Sequence, residues 1–444
     1  FTDNSAGVDT SDHEVNIKIL LADQIARDAL TLEERNELLA SMTDEVAQLV
    51  LAHNVDQNLA LSNSMSRAGE LTGAYEGWMH ALEEAGYLDR QIEFLPSARQ
   101  LDARREAGRG FTRPELATLL AWTKIYLSDQ VLASDLPDDP YLADRLIQYF
   151  PKELQQRYAA DMPSHRLARQ IITTVAVNRF VDSQGITAYH RLHIETNAEI
   201  TEVIRAQLAA RSIYQAGKSE IALGRASDLS ARVITELRVT LRRMVERATR
   251  WLLASRRAPL DIVATTAQFT EGVREVRAEL GSLLTPRQAA NASKHVERLT
   301  AQGVPQALAE EFAQDAYSHF ALTIVEIAQA RRAPVRTVAE IAFCLAERLG
   351  LDQLHDTIVA LPQHDRWETM ARAALRDDLL GVHGELTSAV LVDPSRPAVE
   401  QVDEWMRQTP GIAQKVATLG MVCEEPGVVR MSVGVRLVRS LLPN

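Results

Sequence analysis

The segment Asp3-Asn4-Ser5-Ala6-Gly7-Val8-Asp9-Thr10-Ser11-Asp12-His13-Glu14 sets small and polar side chains immediately ahead of an apolar, helix-spaced stretch. Small residues let backbone amides come close to a ligand. Ser11 offers a hydroxyl and the following helix start adds partial positive charge, which suits the run to holding a carboxylate or a phosphate. The competing reading is a capped loop with Ser11 or Asp12 as the cap. Asp12, His13 and Glu14 are consecutive, so their side chains diverge on a helix, and capping suits them better than general-base work.

Two other clusters carry chemistry-bearing side chains. His190 and His193 are three apart with Glu195 nearby, but no distant ligand set completes a zinc site, and surface or interface histidines are the expectation. The Arg238 to Arg257 segment contains Arg242, Arg243, Arg247, Arg250, Arg256 and Arg257. Arg243, Arg247 and Arg250 share a helical face and could grip another subunit's acidic surface or an anionic effector. The simpler reading, which we adopt, is a solvated face paired with Glu236 and Glu246. Gly108-Arg109-Gly110 lacks the third glycine of a dinucleotide fingerprint, and no Gly-x-Ser-x-Gly nucleophile turn occurs. No residue is assigned a catalytic or metal-binding role.

The elements that position these groups read as helices. Ile17, Leu21, Ile25 and Ala29 recur at four-residue steps with Leu20 beside them, and that helix should end near Leu30. Thr31 with Glu34 predicts a capping box, as does Thr285 with Gln288, while Thr112 with Pro114 and Glu115 marks a third start. Asp139 should cap a helix beginning at Pro140, and Pro151 should open the next. The polar Asn54 to Asn63 stretch is expected to loosen into a connection, with a boundary near Ser62. Ile186 to Tyr189 reads as an extended turn. Val429 to Leu437 alternates like a strand, yet a lone strand needs a partner, and we lean to helix there.

Length and composition bound the class. The 444 residues suffice for roughly three domains of about 150 residues. With 46% hydrophobic and 24% charged residues the chain is globular rather than disordered. A net charge of -12 opposes nucleic acid as a partner. Cys344 and Cys423 are expected to be reduced, buried thiols of a cytoplasmic protein. No apolar run approaches the roughly 18 residues of a membrane span, so no membrane partner is expected. Trp78, Trp122, Trp251, Trp367 and Trp405 read as core or interface anchors. Phe1 is not an initiator Met, and the chain reads as a piece of something longer.

The first run, continuing through Val15-Asn16-Ile17-Lys18-Ile19-Leu20-Leu21, resembles the segment that closes the catalytic domain of the large bacterial NAD-specific glutamate dehydrogenases. Phe111 to Ala117, Leu132 to Tyr141, Trp251 to Leu253 and Pro259 to Ile262 resemble that family's helical C-terminal region, in the same order. In the smaller glutamate dehydrogenases a comparable loop begins with Asn, turns through Gly-Val and reaches a Ser three residues later. Asn4, Gly7, Val8 and Ser11 keep that spacing. The resemblance implies that Ser11 and Val8 help hold the substrate's side-chain carboxylate and that Asn4 lies towards the nicotinamide of NAD. Ser5-Ala6, Asp9 and Asp12-His13 depart from the pattern, and the added acids would repel a carboxylate unless paired or turned away. The family's catalytic lysine and aspartate and its cofactor fold would lie upstream of Phe1.

The expected architecture is therefore mainly α. Residues 1–62 form the closing loop and helices of an α/β catalytic domain, 63–330 a helical C-terminal region and 331–444 a terminal helical subdomain. The implied function is a share in converting L-glutamate and NAD to 2-oxoglutarate, ammonia and NADH, within a homo-oligomer, with the isolated segment inactive. The alternative is a non-catalytic helical scaffold or regulatory module.

Overall fold

The computed structural model describes residues 5–226, 228–362 and 366–442, and among them the chain is built from α-helices and short 3-10 turns, without a strand. It divides into two compact units. The first runs to Arg191 and includes Ala198–Ile204, and the second holds Leu192–Asn197 and everything from Arg205 on. Helices α1 (Ser5–Ala26), α2 (Leu32–Ser41), α3 (Thr43–Met65), α4 (Thr72–Glu84), α5 (Ala98–Glu106) and α6 (Arg113–Leu132) come first. They are followed by α7 (Ala143–Tyr149), α8 (Lys152–Tyr158), α9 (Ala168–Gln184), α10 (Ala188–Thr196) and α11 (Ile200–Ile213), the last two contributing residues to both units.

In the first unit α6 packs on α3 and α9, and α1 lies along α3. The start of α6 has the expected capping box: the Thr112 amide donates to Glu115 at 2.7 Å, and Pro114 sits where a missing amide costs nothing. Trp78 is buried against it and donates from Nε1 to Thr123 Oγ1 at 2.7 Å. Thr31–Glu34 closes the other expected box, and Asp139 accepts from the Tyr141 amide at 2.9 Å. Gly110 has a steric reason: a Cβ there would lie 2.4 Å from the Ala68 backbone.

Of two expected breaks one is absent and the other is shortened. The Asn54 to Asn63 stretch stays helical, because its polar side chains bond back to helix carbonyls, Asn54 to Val50 at 2.9 Å and Ser62 to Asn58 at 2.9 Å, while Gln57, Ala60 and Leu61 are buried. Ser62 thus lies inside α3. The extended turn after Gly185 is shorter than expected: Gly185 takes φ 93°, a conformation suited to glycine, and α10 begins at Ala188.

The second unit contains α12 (Ala216–Arg225), α13 (Ala231–Ser255), α14 (Ile262–Leu283), α15 (Pro286–Ala301), α16 (Gln306–Asp315) and α17 (Ala321–Arg331). Then come α18 (Val335–Leu349), α19 (Leu351–Val359), α20 (Arg366–Val390), α21 (Ala398–Gln408), α22 (Ile412–Glu424) and α23 (Val428–Arg439). Its hub is α18, which buries Val338, Ile341, Ala342, Phe343 and Leu345 and touches α14, α17, α19, α20 and α21. The alternating segment is helix α23, with Met431, Val435 and Val438 turned to the core and Val429 exposed. The helical period wins because no strand among the described residues could pair with it. Cys344 is buried and Cys423 half-buried, both free. Trp367 departs from the anchor expectation at 73% exposure. Among the described residues no helix is long and apolar enough to cross a membrane.

Candidate functional site

The first run is helical from Ser5 onward, which corrects the expected loop and removes Ser11 and Asp12 from capping positions. The cause lies beneath it. His13, Asn16, Ile17, Leu20 and Leu21 form one buried stripe, and no proline interrupts the period between the run and the apolar stretch. Thr10 Oγ1 donates to the Ala6 carbonyl at 2.7 Å, so the polar residues fold back onto the helix instead of competing with it. The far end is closed at Asp28, in the left-handed region with φ 57°, where the Ala29 amide reaches back to the Gln24 carbonyl at 3.0 Å.

Val8 and Ser11, three residues apart, share the exposed face of α1. Ser11 makes no hydrogen bond among the described residues and keeps its hydroxyl available. Asn4 lies outside the described residues. Asp9, one of the acids that should repel a carboxylate, is paired: its carboxylate sits 2.6 Å from His53 Nδ1, and Gln57 Nε2 is 3.3 Å from the other ring nitrogen. Asp12 has its carboxyl raised above the ordinary range by desolvation, with the Asp9 charge adding to it.

The stripe beneath this face is specifically braced. His13 stacks on Tyr149 with ring centroids 4.4 Å apart, and burial lowers the His13 pKa, which favours the neutral ring. Burial also pushes Tyr149 up to about 12, and its hydroxyl accepts from Asn16 Nδ2 at 2.9 Å. The Leu167 amide donates to His165 Nδ1 at 3.1 Å, so a neutral His165 carries its proton on Nε2 and donates it to the Asn16 carbonyl at 3.0 Å. Glu14 pairs with Lys18. Asp12, His13 and Glu14 therefore have three different surroundings and no shared task.

The remaining clusters are redistributed. His190 is half-buried beside Trp78, with ring centroids 5.4 Å apart, rather than a free surface group. Glu195, its side chain 1% exposed, is held by Arg250 and stands 3.5 Å from Arg376. Among the described residues no group of three or more His, Cys, Asp or Glu is placed to hold a metal ion.

The expected solvated arginine face is largely inside. Arg242 and Arg250 are buried and Arg247 partly so, leaving Arg243 exposed. Glu246 does pair with Arg250, at 2.8 Å, whereas Glu236 turns to Arg298 at 2.6 Å. Helix α13 carries so many leucines, valines and alanines that both of its flanks are wanted by the core, and the guanidinium heads are drawn in with them.

Sequence reading passed over Lys124 and Asp182, a half-buried pair at 2.9 Å that links α6 to α9. Burial raises the Asp182 carboxyl and the Lys124 charge opposes it. The partners are 58 residues apart, so the only local sign was a lone lysine in an apolar helix.

Comparison with known proteins gives two family matches along the chain. Residues 108–440 match the family described as glutamate dehydrogenase, C-terminal. Residues 1–64 match bacterial NAD-glutamate dehydrogenase, catalytic domain. The NAD-specific glutamate dehydrogenase of Mycobacterium tuberculosis is 37% identical over 405 residues, covering 91% of this chain and 25% of that protein. Those of Halomonas elongata and Pseudomonas aeruginosa are each 35% identical, over 94% and 92% of this chain and 26% and 25% of their own lengths. The chain thus spans about a quarter of the length of the relatives it matches. It belongs to the family of bacterial NAD-specific glutamate dehydrogenases and corresponds to their C-terminal part.

Proposed function

We propose that the chain is the C-terminal part of an enzyme that oxidatively deaminates L-glutamate to 2-oxoglutarate and ammonia while reducing NAD. Residues 1–62 would complete the edge of its catalytic domain, and 63–330 with 331–444 would brace that domain and mediate homo-oligomer assembly in the cytoplasm. The observation that carries this reading is the pair of family matches, catalytic domain at 1–64 and C-terminal region at 108–440, in that order on one chain.

Within it, the exposed face of α1 supplies Ser11 as donor to the distal carboxylate of glutamate and Val8 as the apolar flank, with Asn4 towards the nicotinamide. The free Ser11 hydroxyl and the pairing of Asp9 with His53 support this assignment. The described residues do not fit NAD itself: they include no strand, and a dinucleotide-binding crevice requires strands with a glycine-rich turn into a helix. No step of hydride transfer is therefore routed through this chain, whose share is to bind and orient substrate.

Ser11→Ala in the complete gene product tests the assignment. Losing a hydrogen bond to a charged group costs about 1.5 to 3 kcal/mol, so KM for glutamate should rise roughly ten- to a hundredfold. An unchanged KM would favour a scaffold role for this face.

A further inference from the structure

A cavity of about 430 Å³ opens in the second unit between α13 and α20, and its wall carries Arg247, Arg250, Arg376, His319 and His355. Trp251 and Leu380 give it an apolar side. Three carboxylates also line it, but two are engaged: Asp377 takes Arg376 Nε at 2.8 Å and Glu326 takes Arg256 at 2.8 Å, while Glu385 is exposed. Arg250 is matched by Glu195 and Glu246.

Arg247 is not matched. Among the described residues no carboxylate comes within ion-pair distance of it, although it is half-buried. Burial, together with the guanidinium groups of Arg243 and Arg376, pushes it down to about 10, against the weaker opposing charge of Asp356. Nearby, Arg376 Nη2 is buried with no hydrogen-bond partner, its nearest carboxylate being Glu195 at 3.5 Å. The wall thus holds one guanidinium, Arg247, without an ion-pair partner and a donor of a second, Arg376, without a hydrogen bond, and an unmet buried donor costs free energy that an anion would recover.

We propose that this cavity is a binding site for a small oxyanion-bearing metabolite, a phosphate ester or a dicarboxylate, with Arg247 meeting the charge and Trp251 and Leu380 covering the carbon skeleton. The volume suits a small metabolite. The neighbouring cavity, which shares His319 and His355, is lined by Glu347, Asp352 and Asp356 and would repel the same ligand. This inference stands independently of the substrate reading of α1.

The test is calorimetric titration of the complete gene product with sodium phosphate and with sodium succinate, against sodium chloride at matched ionic strength. Saturable binding of at least one oxyanion is expected, and whichever binds identifies the ligand class. Arg247→Gln should weaken it roughly tenfold or more. Gly381 lines the cavity and a Cβ there would meet nothing within 4 Å, so Gly381→Asp adds a carboxylate to the wall without a clash. That variant should abolish binding while Gly381→Asn preserves it, and the pair decides the matter even if Arg247→Gln does not fold. Heats no different from chloride, or binding that survives Gly381→Asp, would overturn the proposal.

Discussion

His13 lies flat on Tyr149, 17° from parallel, and this contact ties the first helix to α7, far along the chain. Because His13 shares α1 with Val8 and Ser11, the stack fixes how the proposed substrate face is presented. Tyr149→Phe keeps the stack and loses only the bond from Asn16, which should cost about 1 kcal/mol. Tyr149→Ala should cost about 3 to 5 kcal/mol and accelerate amide exchange through residues 6–20. Equal exchange in the two variants would show that the stack does not hold α1.

Gly110 faces the Ala68 backbone at a distance no Cβ tolerates. Gly110→Ala should destabilise by about 1 to 3 kcal/mol through a forced shift of that crossing, measured by urea unfolding. Gly69→Ala serves as the control, since a Cβ there meets nothing within 4 Å. A Gly110→Ala midpoint matching that of the control would contradict the packing argument.

Glu195 faces two buried arginines, accepting from Arg250 and lying 3.5 Å from Arg376. Glu195→Gln leaves both short of counter-charge and should cost about 3 kcal/mol or more. Replacing an exposed acid such as Glu271 by Gln should cost less than about 1 kcal/mol. Similar losses at the two positions would show that the inner network is solvated.

His383 is stacked on Phe320 and donates from Nε2 to the Ala342 carbonyl at 3.0 Å. Burial lowers it from 6.5 to about 4, so between those values the unfolded chain takes up a proton that the native state refuses. Stability is therefore lost as pH falls through that window, by about 3 kcal/mol across it, and is fully present above it. Urea midpoints between pH 4 and 7 should converge as pH falls for wild type and His383→Gln, because the variant lacks this titration. Parallel curves would rule the linkage out.

Much of the fold was legible because local chemistry agreed with the final packing. Thr31, Thr112 and Thr285 mark their helix starts through side-chain and backbone groups three residues away, and a short window contains both partners. The misread segments are those where distant partners decide. Gly7 to Ser11 carries loop-like residues, yet Tyr149 and His53 fix the helix they sit on. The asparagines of α3 look like a connection until their carbonyl acceptors one turn back are counted. Val8 and Ser11 are paired by spacing and resemblance, and α1 sets both on one exposed face. The burial of Arg250 was not legible, since it depends on Glu195 and on helix α20, which no local pattern announces.

We propose above that this chain is one part of a much larger glutamate dehydrogenase. The most direct test is the denatured mass of the native protein from its source, detected with an antibody raised against residues 286–301, alongside glutamate-dependent reduction of NAD by the same preparation. Because the chain covers 25% of the length of the Mycobacterium tuberculosis relative, a band at roughly four times 49.3 kDa that copurifies with the activity is expected. A single band at 49.3 kDa, or a heavy band without activity, would contradict it.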